Sequence, residues 1–371
     1  MNKCPPQSSR PALSEQMRQP LIDTLKTHLP LDIHAYTLDE TQLWELVMYA
    51  SVQEISLDSA CQELAEVPSG NRVREHINES FDASALRLLA LEEDLNAALH
   101  GPLPSSLTRR LGRKGYESGI DMVEIPYYGQ PAQIEEEIRR GKARAGTTRF
   151  HAYATGAVVH HGQRYEIALT FVWADASGAP TWIKALPGVF TLLRRHRIPY
   201  LIPLPIKGKT GGLRALCQGK ASYRTVHTFN AGTAKAYTTD VILLCRYTKG
   251  RYGRQGCQWF AYATYGMERV PLTQIFSLYR RRFGMESGYR QMHQLRARTT
   301  SANPTWRLVL VGGALLLYNI YIYFRQNGRQ ANPYDRRTRA TWLSLNRMAH
   351  MILRLIEQRL GIVDFETGVS I

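Results

Sequence analysis

The segment GPLPSSLTRRLGRKG, residues 101–115, separates two parts of the chain whose hydrophobic patterns have different periods. Before it, stretches such as ASALRLLALEEDLNAALH place apolar residues at the three- and four-residue spacing of amphipathic helices. After it, SGIDMVEIPYYG, TTRFHAYATGAVVH and QRYEIALTFVWA have the composition of strands, and the last two predict a hairpin that turns at His161 and Gly162. The change of period predicts an α+β protein in which helices precede a sheet.

These patterns divide the chain into four regions. Residues 1–14 are rich in Pro, Ser and Gln and are predicted to be disordered. Residues 15–112 are predicted to form an all-helical N-terminal domain, and residues 113–325 a domain built around the sheet. The stretches SYRTVHTF, KAYTTDVILLCRYT and CQWFAYATYG predict further strands within that second domain. Residues 326–371 are predicted to be a basic helical C-terminal tail.

The charge of the chain is strongly uneven. The whole sequence carries a formal net charge of +16, but residues 1–100 hold 7 Lys and Arg against 16 Asp and Glu. The excess of positive charge therefore lies in residues 101–371, and it predicts a polyanionic partner, of which nucleic acid is the commonest. The 5 cysteines are scattered without a C-x-x-C spacing, which is typical of a reducing cytoplasm and argues against a zinc site.

One stretch resembles a membrane span. LVLVGGALLLYNIYIYF, residues 308–324, is interrupted only by Asn319 and is at the short limit for crossing a bilayer. Arginine-rich sequence flanks it on both sides, and a buried core helix explains the same apolar run. The N-terminal sequence MNKCPPQSSRPALSEQ has no apolar segment of the kind found in secretory signals. We therefore expect a protein that has no membrane partner.

Residues 56–79 fit a helix-turn-helix. Ser56 and Ser69 are placed as N-caps of two short helices joined by a tight turn. The second helix would present Asn71, Arg72, Arg74 and His76 to DNA. A plain packing or dimerisation domain is the alternative, and the acidic balance of the region favours it.

Asp121 stands inside the predicted strand SGIDMVEIP. A charge at an inner strand position is costly to bury unless it is paired or coordinates a metal ion. The alternative is that Asp121 lies at the solvated end of the strand. Asp121 is therefore a candidate metal ligand.

The stretch YRRRFGMESGYRQ, residues 279–291, places a carboxylate among arginines. If this stretch and the next residues form one helix, Tyr279, Arg282, Glu286 and His293 share an arc of roughly 60°. The simpler alternative is a solvated face with Arg282 and Glu286 as an ion pair. Two glycines, Gly284 and Gly288, weaken that alternative, because glycine costs about 1 kcal/mol in an exposed helix interior.

Tyr279, Arg282, Glu286 and His293 are separated by two, three and six residues. This spacing resembles the signature of DDE transposases from bacterial and archaeal insertion sequences. That family typically has Lys at the last position, where this chain has His293. The blocks IDMVEIPYYG, RGKARAGTTRFHAYATG, RIPYLIPLPIKGK and YRRRFGMESGYRQMHQLRARTTSANP look like one branch of the family, and VPSGNRVREHINE is similar to its N-terminal domain. The resemblance covers most of the chain.

The resemblance implies a ribonuclease H-like fold with a mixed sheet and a β-rich insertion at about residues 200–268. In that family, three carboxylates hold two Mg²⁺ or Mn²⁺ ions that cleave a phosphodiester and join strands. Asp121 matches the first carboxylate and Glu286 the third. By the same resemblance Tyr279 and Arg282 would bind DNA near the cut end. We add two further DNA-binding candidates, Arg290 and His293.

The second carboxylate of the family is not found. Residues 176–239 contain neither Asp nor Glu, and the sequence runs from TFVWADASGAPTWIKALPG directly into VFTLLRRHRIPY. Asp175 and Asp240 are weak substitutes, because the first is predicted in a turn and the second inside the insertion. An incomplete central sheet is therefore expected, and the catalytic activity is expected to be lost or severely impaired.

The sequence thus predicts a transposase-like protein that binds the ends of a mobile DNA element and target DNA. It is expected in the cytoplasm, associated with the nucleoid, and compatible with a homodimer. The alternative is a DNA-binding protein without catalysis, either a remnant or a competitor for element ends. A membrane protein anchored by residues 308–324 is disfavoured.

Overall fold

The computed structural model describes residues 12–31, 33, 38–111, 116–174, 193–219, 221–229, 231–232, 236–247, 257–281, 284–327 and 343–363. The chain forms an α+β protein with helices at the N-terminus and antiparallel sheets. It is organised into two compact units, one made of Met1–Ala179 with Met285–Ile371 and the other of Pro180–Gly284. Each unit has a four-stranded sheet of its own.

The first unit begins with helices whose starts are capped by side chains. Asp39 accepts a hydrogen bond from the Gln42 N–H and its own N–H donates to the Gln42 side chain, which is a capping box. The Ser56 hydroxyl accepts from the Ser59 N–H, as the sequence predicts, whereas Ser69 makes no side-chain cap. The helices are α1 (Leu13–His28), α2 (Glu40–Gln53), α3 (Leu57–Glu63), α4 (Gly70–Ser80), α5 (Ala85–His100) and α6 (Ser105–Leu111).

The sheet of the first unit is built around one long strand. Its strands are β1 (Ser118–Pro126), β2 (Arg139–Arg144), β3 (Thr147–His160) and β4 (Gln163–Phe171). β3 pairs antiparallel with each of the other three. The predicted β3–β4 hairpin is confirmed, and its two turn residues, His161 and Gly162, both have positive φ (48° and 73°). That conformation matches the twist of the paired strands.

Three helices complete this unit: α9 (Gly284–His293), α10 (Pro304–Asn327) and α11 (Leu345–Leu360). α10 is the apolar segment singled out above, and it is long and apolar enough to cross a membrane. However, 83% of its most apolar window is buried inside the protein, against α5 and β4 among others. Its interior position agrees with the prediction of a buried core helix.

The C-terminal helix α11 packs against α1 and α2 and shares their hydrophobic core. The Glu66 N–H donates to the Leu360 carbonyl at 2.8 Å, and the Val363 N–H donates to the Glu63 carbonyl at 3.0 Å. The described part of the predicted tail is therefore joined to the N-terminal helices rather than extending from the sheet domain.

The second unit contains the predicted extra strands. They are β5 (Tyr200–Leu204), β6 (Tyr223–Phe229), β7 (Tyr237–Tyr247) and β8 (Cys257–Tyr265), paired antiparallel in the order β5-β8-β7-β6. Two helices accompany the sheet, α7 (Gly212–Leu216) and α8 (Leu272–Arg280). Ile275 of α8 packs with Ile242, Leu244 and Tyr262 in a small core on one face of the sheet.

Candidate functional site

Asp121 lies on β1 in the first unit and is half-buried. Its Oδ1 accepts a hydrogen bond from the Met122 N–H at 2.9 Å, and it is paired across the sheet with Thr155 on β3. Residues directly opposite each other in an antiparallel pair project to the same face. Asp121 and Thr155 therefore share one face of the sheet.

Helix α9 lies over this face. The Tyr289 hydroxyl is 2.9 Å from the Thr155 hydroxyl, and both residues are buried. One residue earlier, Gly288 brings the helix backbone close to the sheet, because a Cβ at this position would lie 3.5 Å from Oε1 of Glu166. An alanine at position 288 would therefore contact the carboxyl group of Glu166.

Glu166, on β4, is the residue that sequence reasoning missed. Its side chain is only 1% exposed, and its Oε2 has no hydrogen-bond partner among the described residues. The pKa of Glu166 is raised to about 7, chiefly by burial and to a smaller extent by the negative charge of Asp121. A hydrogen bond from Thr155 and the positive charge of Arg164 lower this pKa but do not cancel the effect of burial. The charge of Asp121 thus influences the carboxyl group of Glu166.

A β-bulge explains why the sequence pattern hid Glu166. Strict alternation along QRYEIALTF would group it with Ala168 and Thr170, which are exposed. The register shifts next to Gly156, so that Ala168 pairs with Gly156 but Glu166 pairs with Ala157. The extra residue reverses the alternation between Glu166 and Ala168. Glu166 therefore shares the face of Thr155 and Asp121, whereas Ala168 and Thr170 lie on the other face.

Helix α10 holds the backbone of Glu166 in place. The Asn319 side chain accepts from the Glu166 N–H at 2.9 Å and donates to the Glu166 carbonyl at 2.7 Å and to the Leu99 carbonyl at 3.3 Å. Asn319 is fully buried. The polar residue that interrupts the apolar run therefore satisfies backbone groups next to the bulge.

Of the predicted signature, Tyr279 lies on one helix, and Glu286 and His293 lie on the next. Tyr279 lies on α8 of the second unit, where its ring packs 5.0 Å from that of Tyr262. Arg290 is exposed on α9, and burial together with the charge of Arg296 lowers the pKa of the half-buried His293. His293 is thus a poorer cation than the lysine of the family pattern.

Two predicted residues lie partly or wholly outside the described part of the chain. The backbone of Glu286 belongs to α9, three residues before Tyr289, but its side chain is not described. Arg282 lies outside the described residues altogether. Within the described residues, no group of three or more His, Cys, Asp or Glu side chains is arranged to hold a metal ion.

The two substitute acids have different outcomes. Asp175 lies outside the described residues. Asp240, on β7 of the second unit, is exposed and forms an ion pair with Arg194 at 3.4 Å. That contact is typical of a surface charge pair, so the surroundings of Asp240 do not favour it as a metal ligand.

The proposed helix-turn-helix needs one correction. Helices α3 and α4 are present, and Asn71, Arg72 and Arg74 are exposed on α4. His76 is 7% exposed, and its Nδ1 lies 3.5 Å from a carboxylate oxygen of Glu79. The prediction that His76 reads DNA is wrong, because its ring faces the protein interior.

A basic cavity of about 790 Å³ lies within the second unit. The guanidinium of Arg246 stacks 3.8 Å from the ring centre of Phe276, and that of Arg280 lies 5.7 Å from the same ring. Both arginines are exposed. Exposed guanidinium groups beside an aromatic ring suit the phosphates and bases of nucleic acid. The cavity is lined by Ser222, Leu244, Cys245, Arg246, Leu272, Thr273, Phe276, Ser277, Arg280 and Arg281.

No protein-family model matches this chain, and no curated protein matches it either. Two places among the described residues are therefore the candidate functional sites. One is the carboxyl pair of Asp121 and Glu166 under helix α9, and the other is the arginine-lined cavity of the second unit.

Proposed function

We propose that this chain is a transposase-like protein of the DDE class that binds the ends of a mobile DNA element. The observation that carries the proposal is the position of Asp121 on the first strand of an antiparallel sheet, under helix α9, which bears Glu286. The antiparallel order β1-β3-β4 supports a ribonuclease H-like catalytic domain, because that fold begins with three such strands. The second unit corresponds to the β-rich insertion expected at about residues 200–268.

Asp121 and Glu286 are the proposed ligands for Mg²⁺ or Mn²⁺. Carboxylates are the ligands that these cations prefer, and the ions would activate a nucleophile and stabilise the leaving oxygen at a phosphodiester. The second carboxylate of the family is missing from the expected segment. We therefore propose that this copy cleaves DNA poorly, and that its partners remain the element ends and target DNA in the nucleoid.

A DNA-binding protein without catalysis is the second candidate function. The ion pair between Asp240 and Arg194 favours this function, because it makes Asp240 a poor replacement for the missing second carboxylate. The arginine-lined cavity of the second unit does not depend on the carboxylates and would support DNA binding in either case. Such a protein would compete for element ends, alone or as a homodimer.

We expect duplex DNA to bind with an affinity that falls steeply with salt, because arginine contacts to phosphates release bound counterions. Replacing both Arg246 and Arg280 with alanine is expected to lower the log–log salt slope by about 2, or about 1 for each lost phosphate contact. The measurement is fluorescence anisotropy of a labelled duplex between 50 and 200 mM salt. Over this range, a change of about 2 in the slope alters the change in affinity by about 10-fold or more. Arg354→Ala is the matched control, because Arg354 is an exposed arginine paired with Glu357.

A salt-independent affinity would contradict the proposed basic interface. If the double variant keeps the wild-type salt slope, the cavity is not part of the DNA interface. An equal loss of slope in Arg354→Ala would show that the effect depends only on net charge.

Cleavage separates the two candidate functions. We expect weak or no 3′-end nicking of a duplex that carries the ends of the element encoding the chain, in either Mg²⁺ or Mn²⁺. Residual nicking that disappears in Glu286→Gln would support an impaired enzyme. Robust nicking by the wild-type protein, abolished by the same substitution, would show that the predicted impairment is wrong. Metal-independent binding with no nicking would favour the DNA-binding protein.

A further inference from the structure

Glu166 is buried without full compensation for its charge. One of its carboxylate oxygens has no hydrogen-bond partner within the described part of the chain, although the residue is 1% exposed. An ionised carboxylate is rarely buried unless it is paired or coordinates a metal ion. The nearby cation is Arg164, two residues earlier on β4, and its influence on the pKa of Glu166 ranks behind that of burial.

Asp121 and Glu166 stand on the same face of the sheet, with β3 between their strands. Asp121 is opposite Thr155, and Glu166 is opposite Ala157, two residues further along β3. Neighbouring strands are about 4.8 Å apart and two residues along a strand span about 6.7 Å, so the backbones of Asp121 and Glu166 are about 12 Å apart. An aspartate and a glutamate that point toward each other can span that separation around one cation, because Mg²⁺–oxygen distances are about 2.0–2.1 Å.

The other groups around this space also offer oxygen atoms. The hydroxyls of Thr155 and Tyr289 are 2.9 Å apart, and Thr155 hydrogen-bonds the carboxyl group of Glu166. The α9 backbone passes above Glu166 at Gly288, and the Tyr318 hydroxyl lies near the same position. Carboxylates together with neutral oxygens suit a hard divalent cation.

We propose that Asp121 and Glu166 together bind one divalent cation, Mg²⁺ or Mn²⁺, beneath helix α9. Glu166 thereby supplies from β4 a carboxylate that the family resemblance assigns to a later strand. The proposal rests on the proposed function for its biological role, but cation binding is measured without DNA. It concerns a single ion, so it does not restore the two-ion arrangement needed for efficient cleavage. The competing explanation is a neutral structural acid that binds no ion.

The test is a titration of the full-length protein with Mn²⁺ alone, in which free Mn²⁺ is followed by electron paramagnetic resonance. We expect one site in the wild-type protein and a loss of affinity of about 10-fold or more in both Glu166→Gln and Asp121→Asn, since loss of a ligand should cost at least as much as loss of an outer-shell partner. Glu92→Gln is the matched control. Its carboxylate also contacts β4, by accepting from the Phe171 N–H at 2.7 Å, but it makes that contact from helix α5.

Thermal unfolding with and without Mn²⁺ provides a second measurement. The wild-type and Glu92→Gln proteins should be stabilised by Mn²⁺, whereas folded Glu166→Gln should not. Unchanged Mn²⁺ affinity in Glu166→Gln, or no Mn²⁺ binding by the wild-type protein at millimolar concentration, would overturn the proposal. Failure of the proposed function is a different result: no DNA binding, with Mn²⁺ binding still dependent on Glu166.

Discussion

Replacing Glu45 with alanine is expected to destabilise the first unit by about 4 kcal/mol, because it removes the shared anion of a buried ion-pair cluster. Glu45, on α2, is 1% exposed and accepts hydrogen bonds from Arg18 of α1 and from Arg359 of α11. Arg18 is 3% exposed and would keep only Glu15 as a charged partner among the described residues. The alanine variant therefore leaves a buried guanidinium largely uncompensated.

Urea unfolding followed by circular dichroism measures this loss. Hydrogen exchange should also show faster exchange in α1, α2 and α11, since these three helices meet at Glu45. Glu75→Ala is the control, because Glu75 pairs with Arg72 at 2.9 Å on the surface, where such a pair is worth about 0.5 kcal/mol. A cost below about 1 kcal/mol for Glu45→Ala would show that the cluster contributes little.

Replacing Asn319 with alanine is expected to cost about 3 kcal/mol, because two buried backbone groups lose their partners. The Asn319 side chain bonds both the N–H and the carbonyl of Glu166 from the interior of α10. These backbone groups adjoin the bulge in β4, so the loss should also loosen the strand that carries the proposed cation ligand. The measurement is the free energy of unfolding in urea, together with the exchange rate of the Glu166 amide.

Asn96 offers a matched comparison for Asn319. From helix α5 it accepts from the Leu169 N–H at 2.6 Å and donates to the Leu169 carbonyl at 3.1 Å, but it is only half-buried. Water can replace a lost partner there, so Asn96→Ala should cost about 1 kcal/mol. If the two variants lose equal stability, burial does not set the cost of losing this contact.

Local sequence patterns determined much of the secondary structure. The hairpin at His161 and Gly162 follows from a short polar turn between two strand-like runs, and the strands of the second unit follow from alternating β-branched and aromatic residues. The Ser56 cap was also predictable, because it depends on residues close together in the chain, and the apolar run of α10 predicted a buried helix. Asp121 could be singled out because a charge inside a strand is unusual.

Contacts between distant residues were decided only by the tertiary structure. Glu45 and Arg359 are separated by 314 positions, so no local pattern indicates that they pair. The helical pattern around residues 279–293 did not reveal that Tyr279 and His293 belong to different helices and units, because both segments are helical.

The position of Glu166 at the candidate site was likewise not predicted from the sequence. Local patterning predicted a strand in QRYEIALTFVWA, residues 163–174, and a strand alternates between two faces. The pairing of Gln163 with His160 at the hairpin turn already places Glu166 opposite Ala157, and the extra residue beyond Glu166 turns Ala168 and Thr170 to the other face. Alternation counted back from these exposed residues therefore assigns Glu166 to the wrong face, and only the pairing in the folded chain shows the shift.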